Sequence, residues 1–423
     1  MPRLPTALAV LLAGCACAPA ADLVDAPKPP AGFPSFKIQE IDAGLKIGYA
    51  VIVVDIDGDK KPDIVVVDQL KIVWYQNPTW KKRVILDGKT KPDNVCIAAL
   101  DIDGDGLPEL VVGAGWKPFD TKNSGTLQWL KRSKTLDDEW TMHTIPCDEP
   151  TVHRIQIGDY NGDGKPDIIM APLMGRDATK EKNWLDGRPV QIVGYSVPAD
   201  PEKAKSWKAE VISDSLHVVH NIIVAPPFAR GPKLNPWRIT AASYEGLSEI
   251  VFRSKPEGPD PFGSGDQSNP KGARGSSELA SGWGAIATIE PWHGNSVVTY
   301  RYREMNKPFE RTVIDTQLRW GHAVKMANLD GQPFDEIIVG VRDDPDPKLG
   351  DTHKERRGIR IYKNVADEPA GKQVYARYIL EDGGVAVEDL AVADLDGDGK
   401  LDIIAVGRAT GNCRIYWNKG VPK

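Results

Sequence analysis

Short apolar runs, each preceded by a cluster of acidic residues and glycine, recur along this chain at a period of about 50 residues. Ile64-Val-Val-Val67 follows Asp55-Ile-Asp57-Gly58-Asp59 and Asp63, and Ile403-Ile-Ala-Val406 follows Asp394-Leu-Asp396-Gly397-Asp398 and Asp402. Runs this short, rich in Ile and Val and bounded by turn residues, predict buried strands. No segment sustains a 3.6-residue apolar period, so helices are expected to be minor.

The same acidic pattern appears at Asp101, Asp103, Asp105 and Glu109, at Asp159, Asn161, Asp163 and Asp167, and at Asn328, Asp330 and Glu336. An aromatic-bearing strand follows further on, as in Val73-Trp-Tyr75, Leu127-Gln-Trp129, Ile361-Tyr362 and Ile415-Tyr-Trp417. A second marker fixes the register independently. An aromatic followed five residues later by an aliphatic recurs at Phe36/Ile41, Trp80/Ile85, Trp140/Ile145, Trp207/Ile212, Phe309/Ile314 and Tyr375/Leu380. From that aromatic to the first loop position is 19 residues in five cases and 21 in one. The Trp207 copy points to Pro226, so a fourth unit stands there with its acidic loop lost. Residues 275–302 supply a fifth, with Ala285-Ile-Ala-Thr-Ile289 and Val297-Val-Thr-Tyr300 as its clearest strands.

Seven units of four short strands predict an all-β fold, a seven-bladed β-propeller with four-stranded blades. The expected order within a unit is inner strand A, acidic loop, then strands B, C and outer D. Phe36 to Ile41 is a D-type strand that precedes any blade. It is expected to complete the last blade, whose own chain stops after strand C at Trp417, so the N-terminal strand closes the ring and removes open edges. Residues 254–275, rich in Pro, Gly and Ser, read as a long surface loop.

Composition changes this picture little: 41% hydrophobic and 26% charged residues are ordinary for a globular domain. The net charge of −6 mixes both signs, which argues against nucleic acid as a partner. The leader adds more. Arg3 and the apolar run Ala7 to Gly14, too short to span a bilayer, read as a signal peptide over residues 1–21, leaving the propeller on 22–423. Leu12-Ala13-Gly14-Cys15 matches a bacterial lipoprotein box and Ala18-Pro19-Ala20 an ordinary cleavage site, so a lipid anchor on Cys15 and a free secreted form are both open. Either predicts export, to the periplasm, the cell envelope or the medium, with no transmembrane span. Cys96, Cys147 and Cys413 remain in the body and make no disulfide framework.

Alternating carboxylates at loop positions 1, 3 and 5, with another at position 9, form an oxygen cage suited to structural Ca²⁺. Position 12 is apolar and strands follow, unlike an EF-hand. The loops beginning at Asp55, Asp101, Asp159 and Asp394 are the strong candidates. The Asn328 loop, with Gln332 at position 5, is expected to be weaker.

Six residues before loop position 1, where strand A starts beside the central channel, stand Tyr49, Val95, His153, His220, His322 and Glu388. With 7 histidines in 423 residues, three at six equivalent sites is an accident of roughly one in ten thousand. His293, in the B–C turn of the fifth blade, is expected on the same face. Imidazoles and a carboxylate converging on a recessed axis suit a transition metal such as Zn²⁺ with open positions. The assignment is His220 and His322 as ligands, His153 or His293 as base and Glu388 as ligand or proton donor, with Tyr49 beside them and His153 a further candidate ligand. Trp116, Tyr244, Glu245, Trp292, Trp320, Arg342 and Arg408 are the candidate substrate contacts, an aromatic and guanidinium lining that suits a sugar.

The acidic repeat resembles the FG-GAP or VCBS family of calcium-loop blades, over nearly the whole body of the chain. The phrases Pro150-Thr-Val-His153-Arg, Val219-His220-Asn221, Ile289-Glu-Pro-Trp-His293-Gly-Asn, Trp320-Gly-His322-Ala and Val385-Ala-Val-Glu388-Asp resemble the propeller part of the aldos-2-ulose dehydratase group. That resemblance implies a carbon–oxygen lyase that eliminates water from ketosugars such as 1,5-anhydrofructose. Two functions follow as expectations: an exported, metal-assisted lyase acting by β-elimination on a ketosugar or keto-glycoside, or a non-catalytic calcium-binding propeller that holds glycan or protein.

Overall fold

The computed structural model describes residues 23–423 except 124, 226–228, 231–232, 235–236, 252–259, 264, 270, 302–308, 352–353 and 368–372. Blade one shows the plan: strands Ala50–Val54, Asp63–Val67, Lys71–Gln76 and Lys81–Asp87 follow one another as antiparallel neighbours. Six four-stranded blade sheets are present, and the seventh blade gains a fifth, two-residue strand. In that blade Phe36–Asp42 pairs with Cys413–Asn418, and Val24–Asp25 adds to its outer edge. The N-terminal closure is therefore present as expected. Helix is limited to two three-residue 3₁₀ turns among the described residues, and no helix there is long and apolar enough to cross a membrane. The leader, Cys15 included, lies outside the described residues, as does Pro226.

Burial explains the strand patterns. Every residue of strand B is buried in blades one, two, three, six and seven, because neighbouring blades cover both of its faces. That produces continuous apolar runs rather than alternation. The core consists of inter-blade clusters: Val65, Ile72 and Trp74 of blade one pack with Ile97, Leu110 and Val112 of blade two. The aromatic markers fill these joints, and Trp80 meets Trp417 across the ring closure at 6.0 Å.

One expectation fails. The Pro/Gly-rich stretch read as a loop holds an outer strand, Asp260–Gly263, paired with Gly246–Val251, and a bridge between Asp266 and Gly275. Pro261 is tolerated there because an edge strand needs hydrogen bonds on one side only. Blade four also carries a small hairpin, Ala229–Arg230 with Lys233–Leu234, between its first two long strands.

Candidate active site

Each ring residue stands where the chain steps into strand A, and at the histidines and Glu388 the backbone there is locally irregular. Ladder register slips at Val152/Arg154, Gly321/Ala323 and Val387/Asp389, so His153, His322 and Glu388 are each the extra residue of a bulge. A bulge redirects one side chain without breaking the sheet. Two residues upstream of the three histidines, Thr151, Val218 and Trp320 hold left-handed backbone (φ 46°, 49° and 53°). Non-glycine residues rarely take that conformation, and it concentrates at working sites. His293 has φ 51° in the blade-five turn. The turn is tied to blade six by Leu318 N–H to Asn295 O (3.0 Å) and Gly321 N–H to Gly294 O (3.1 Å).

These residues meet in a cavity of about 500 Å³. His220, His293 and His322 bring one ligand nitrogen each within 4.8 Å of the others. The Nε2 atoms of His220 and His293 are 2.7 Å apart. The Nδ1 of His322 donates to Glu388 O at 2.8 Å, which leaves its Nε2 with the lone pair. His153 stands outside this trio, stacked on Trp116 (4.8 Å, 27°), its buried Nδ1 without a hydrogen-bond partner. Burial, reinforced by Arg154 beside His153 and His220 and by Arg342 beside His322, holds all four imidazoles well below the usual histidine range. They are neutral near pH 7, the state in which imidazole binds a metal or takes a proton. The donor set and spacing fit a divalent transition metal, whose nitrogen ligands sit about 2.0–2.1 Å from the ion.

The wall beside His322 is charged, with its Nε2 3.8 Å from Glu388 Oε1. Arg408 donates to Glu388 Oε1 (2.7 Å), and Arg342 stands 3.6 Å from Oε2, an oxygen that has no hydrogen-bond partner. Burial raises the Glu388 carboxyl; the two guanidiniums oppose that but do not cancel it. Tyr49 donates to Asp93 at 3.1 Å beneath Arg408, and burial raises its phenol too. Trp116, Trp292, Trp320, Arg342 and Arg408 line the cavity. Tyr244 and Glu245 do not. Tyr244 is buried behind Trp292, and Glu245 pairs with His217 at 2.9 Å.

Sequence reading missed Glu278. Ser277 N–H donates to Ile289 O as Tyr49 N–H donates to Val67 O, so Ser277 is the blade-five ring position and Glu278 comes next. Blade five has a Trp283–Gly284 turn where five of the other blades have an acidic loop, so its register marker is gone. The Glu278 carboxylate accepts from Arg154 (2.8 Å) and Asn221 (2.5 Å), and its Oε1 lies 2.8 Å from His220 Nδ1, off the angle of a good hydrogen bond.

The acidic loops occupy the other end of the same strands. Ligand oxygens of Asp55, Asp57 and Asp63, of Asp101, Asp103 and Glu109, and of Asp394, Asp396 and Asp402 gather within 4.8 Å in each set. Gly58 (φ 80°) and Gly397 (φ 75°) make the bend. Position-5 carboxylates cap their own turns, as Asp59 accepts from Lys61 N–H (2.8 Å). Asp330 is paired with Lys363 instead. In the third loop Asn161 accepts from Asp163 N–H (2.8 Å) and the Asp167 carboxyl is buried.

The fold defines the class, a seven-bladed propeller, and residues 49–112 match the family described as FG-GAP-like repeat. Residues 124–303 match the family described as aldos-2-ulose dehydratase, beta-propeller domain. Among curated proteins, aldos-2-ulose dehydratase of Phanerodontia chrysosporium is 23% identical over 57% of this chain, a match that covers 28% of that protein. The resemblance read from the sequence therefore holds. Solved structures share the fold alone. BBS1N in complex with ARL6DN aligns with 95% of this chain and 99% of its own (TM-score 0.52, 13% identity). A chain of the mitotic checkpoint complex aligns with 98% and 96% (TM-score 0.51, 11% identity).

Proposed function

We propose that this chain is a carbohydrate lyase that eliminates water, or a glycosidic alcohol, from a ketosugar in the histidine cavity. The observation that carries the reading is the trio His220, His293 and His322, within 4.8 Å of one another in a cavity lined with Trp and Arg. His220, His293 and His322 would hold a divalent metal, which as a Lewis acid lowers the cost of negative charge on a ketone oxygen. His153, kept neutral by burial, abstracts the proton α to the ketone. Glu388, whose carboxyl burial favours in the protonated form, donates that proton to the departing oxygen at the β-carbon. Arg342 and Arg408 orient Glu388 and bind hydroxyls, while Trp116, Trp292 and Trp320 exclude water. The product is an enone, which absorbs in the near ultraviolet.

Loops one, two and seven would bind structural Ca²⁺, a reading supported by their gathered oxygens and by Glu109 Oε1, buried without a hydrogen-bond partner. The lyase reading is tested by following that absorbance with 1,5-anhydrofructose or a 3-keto-glycoside. The expected result is an enone signal that chelation abolishes and Zn²⁺ restores. No signal with any ketosugar from metal-loaded protein overturns the reading.

A further inference from the structure

Phe119 is 65% exposed at the cavity mouth. Its ring stacks on Trp184 (5.5 Å, 21°). Trp184 in turn packs on Leu173, Met174, Val218 and Tyr244, the apolar patch that also backs Trp116 and Trp292. Three loops from different blades are bonded to present this pair. Thr121 Oγ1 donates to Ala178 O (2.9 Å), Asp177 N–H donates to Thr121 O (3.1 Å), and Asn183 Nδ2 donates to Gly272 O (2.9 Å). Thr179 is fixed by Asp186 through both its N–H and its hydroxyl (2.6 and 2.7 Å), and Asn183 and Trp184 both hold left-handed backbone (φ 54° and 61°). Backbone strain and cross-loop bonds spent on keeping an apolar ring in water mark a binding surface.

We propose that Phe119 and Trp184 are a second sugar subsite, so that the substrate is a keto-glycoside whose aglycone is itself a pyranose. The assignment rests on the elimination reading for what occupies the histidine end. Phe119, which lines the cavity of about 500 Å³ and is backed by Trp184, suits the apolar face of a pyranose, whose axial C–H groups meet a ring's negative face as a cation or edge does. The cavity lies within the range, about 300–1,000 Å³, of sites that enclose ligands larger than one sugar ring. His153 links the two ends, because it stacks on Trp116, which shares the apolar patch with Trp184. A glycoside with its keto ring at the histidines thus directs its leaving oxygen and aglycone along this wall.

The test compares two substrates with the same reacting ring, 3-keto-cellobiose and methyl 3-keto-β-glucoside. The expected wild-type preference is about tenfold in kcat/KM for the disaccharide, and Phe119→Ala reduces that ratio to near one through KM rather than kcat. Phe119→Leu, which keeps apolar bulk without the ring face, falls with Phe119→Ala. An unchanged ratio in Phe119→Ala overturns the subsite. If wild type turns over neither compound, elimination fails and the subsite is judged by calorimetry of cellobiose with metal-stripped protein. Binding that Phe119→Ala weakens about tenfold upholds it; equal binding by both proteins, or none, overturns it.

Discussion

The two ends of strand A in blade three carry opposite kinds of information. His153 stands at its start and the loop Asp159 to Asp167 just past its end, separated by about 3.3 Å per residue. At the loop end, five blades repeat nearly the same residues in the same turn. At the axis end, the seven equivalent positions hold Tyr49, Val95, His153, His220, Ser277, His322 and Glu388, three histidines among four other residue types. Sameness serves the ring, where every blade meets the same packing problem. Difference makes a site, because the axis is where unlike side chains from different blades can face one another. The bulges at His153, His322 and Glu388 and the left-handed non-glycine residues Thr151, Val218, His293 and Trp320 stand at that end, so stability has been yielded where chemistry is placed.

The account predicts that mutations at the two ends separate activity from stability. The largest expected effect is at the base. His153→Ala should lower kcat for ketosugar elimination by about 10²–10⁴ while the melting temperature stays within a degree or two. A comparable loss of melting temperature would place His153 in the fold rather than in the chemistry.

At the other end, chelation of calcium should lower the melting temperature by about 5 °C or more, since ligand release at saturating concentration removes a few kcal/mol. Asp57→Ala and Asp396→Ala should each blunt the response and retain elimination. An unchanged melting curve after chelation would remove calcium from the account.

A smaller effect joins the ends through the layer below the histidines. Glu278→Gln should weaken transition-metal affinity about 10–100-fold, read by competition with a chromogenic chelator, with calcium stabilisation intact. Equal affinity in the variant and wild type would make Glu278 a partner of Arg154 and Asn221 only.

The smallest effect is in pH. Burial raises Asp63 and Glu109 to about 7 from their ordinary 3.8 and 4.5. The calcium-free folded protein therefore holds protons that the unfolded chain releases near pH 4. That contribution is full below pH 4 and fades as pH rises through 7, so calcium-free protein should melt lower at pH 7.5 than at pH 5. Calcium holds both groups ionised and should flatten the difference. A calcium-free melting temperature that rises over this interval would contradict the sign.

What was legible in the sequence follows from the same contrast. Asp55 to Asp63 and the Trp80/Ile85 spacing are local patterns, so the blades, their number and the ring closure followed from them. His153, His220 and His322 were legible only through that register. Glu278 and the strand Asp260–Gly263 were not, because each is defined by a pairing partner distant in the chain, Ile289 in one case and Gly246–Val251 in the other. The grouping of His293 rather than His153 with His220 and His322 depends on a turn of blade five reaching across to blade six, which no spacing encodes.

The most direct test of the central claim is the double variant His220→Ala/His322→Ala, assayed on a ketosugar that the wild type converts, with its melting temperature measured beside it in calcium. The account predicts no enone signal above the uncatalysed rate, no retained transition metal, and a melting temperature close to wild type. Elimination at the wild-type rate by the double variant would contradict it and leave the propeller a binding module.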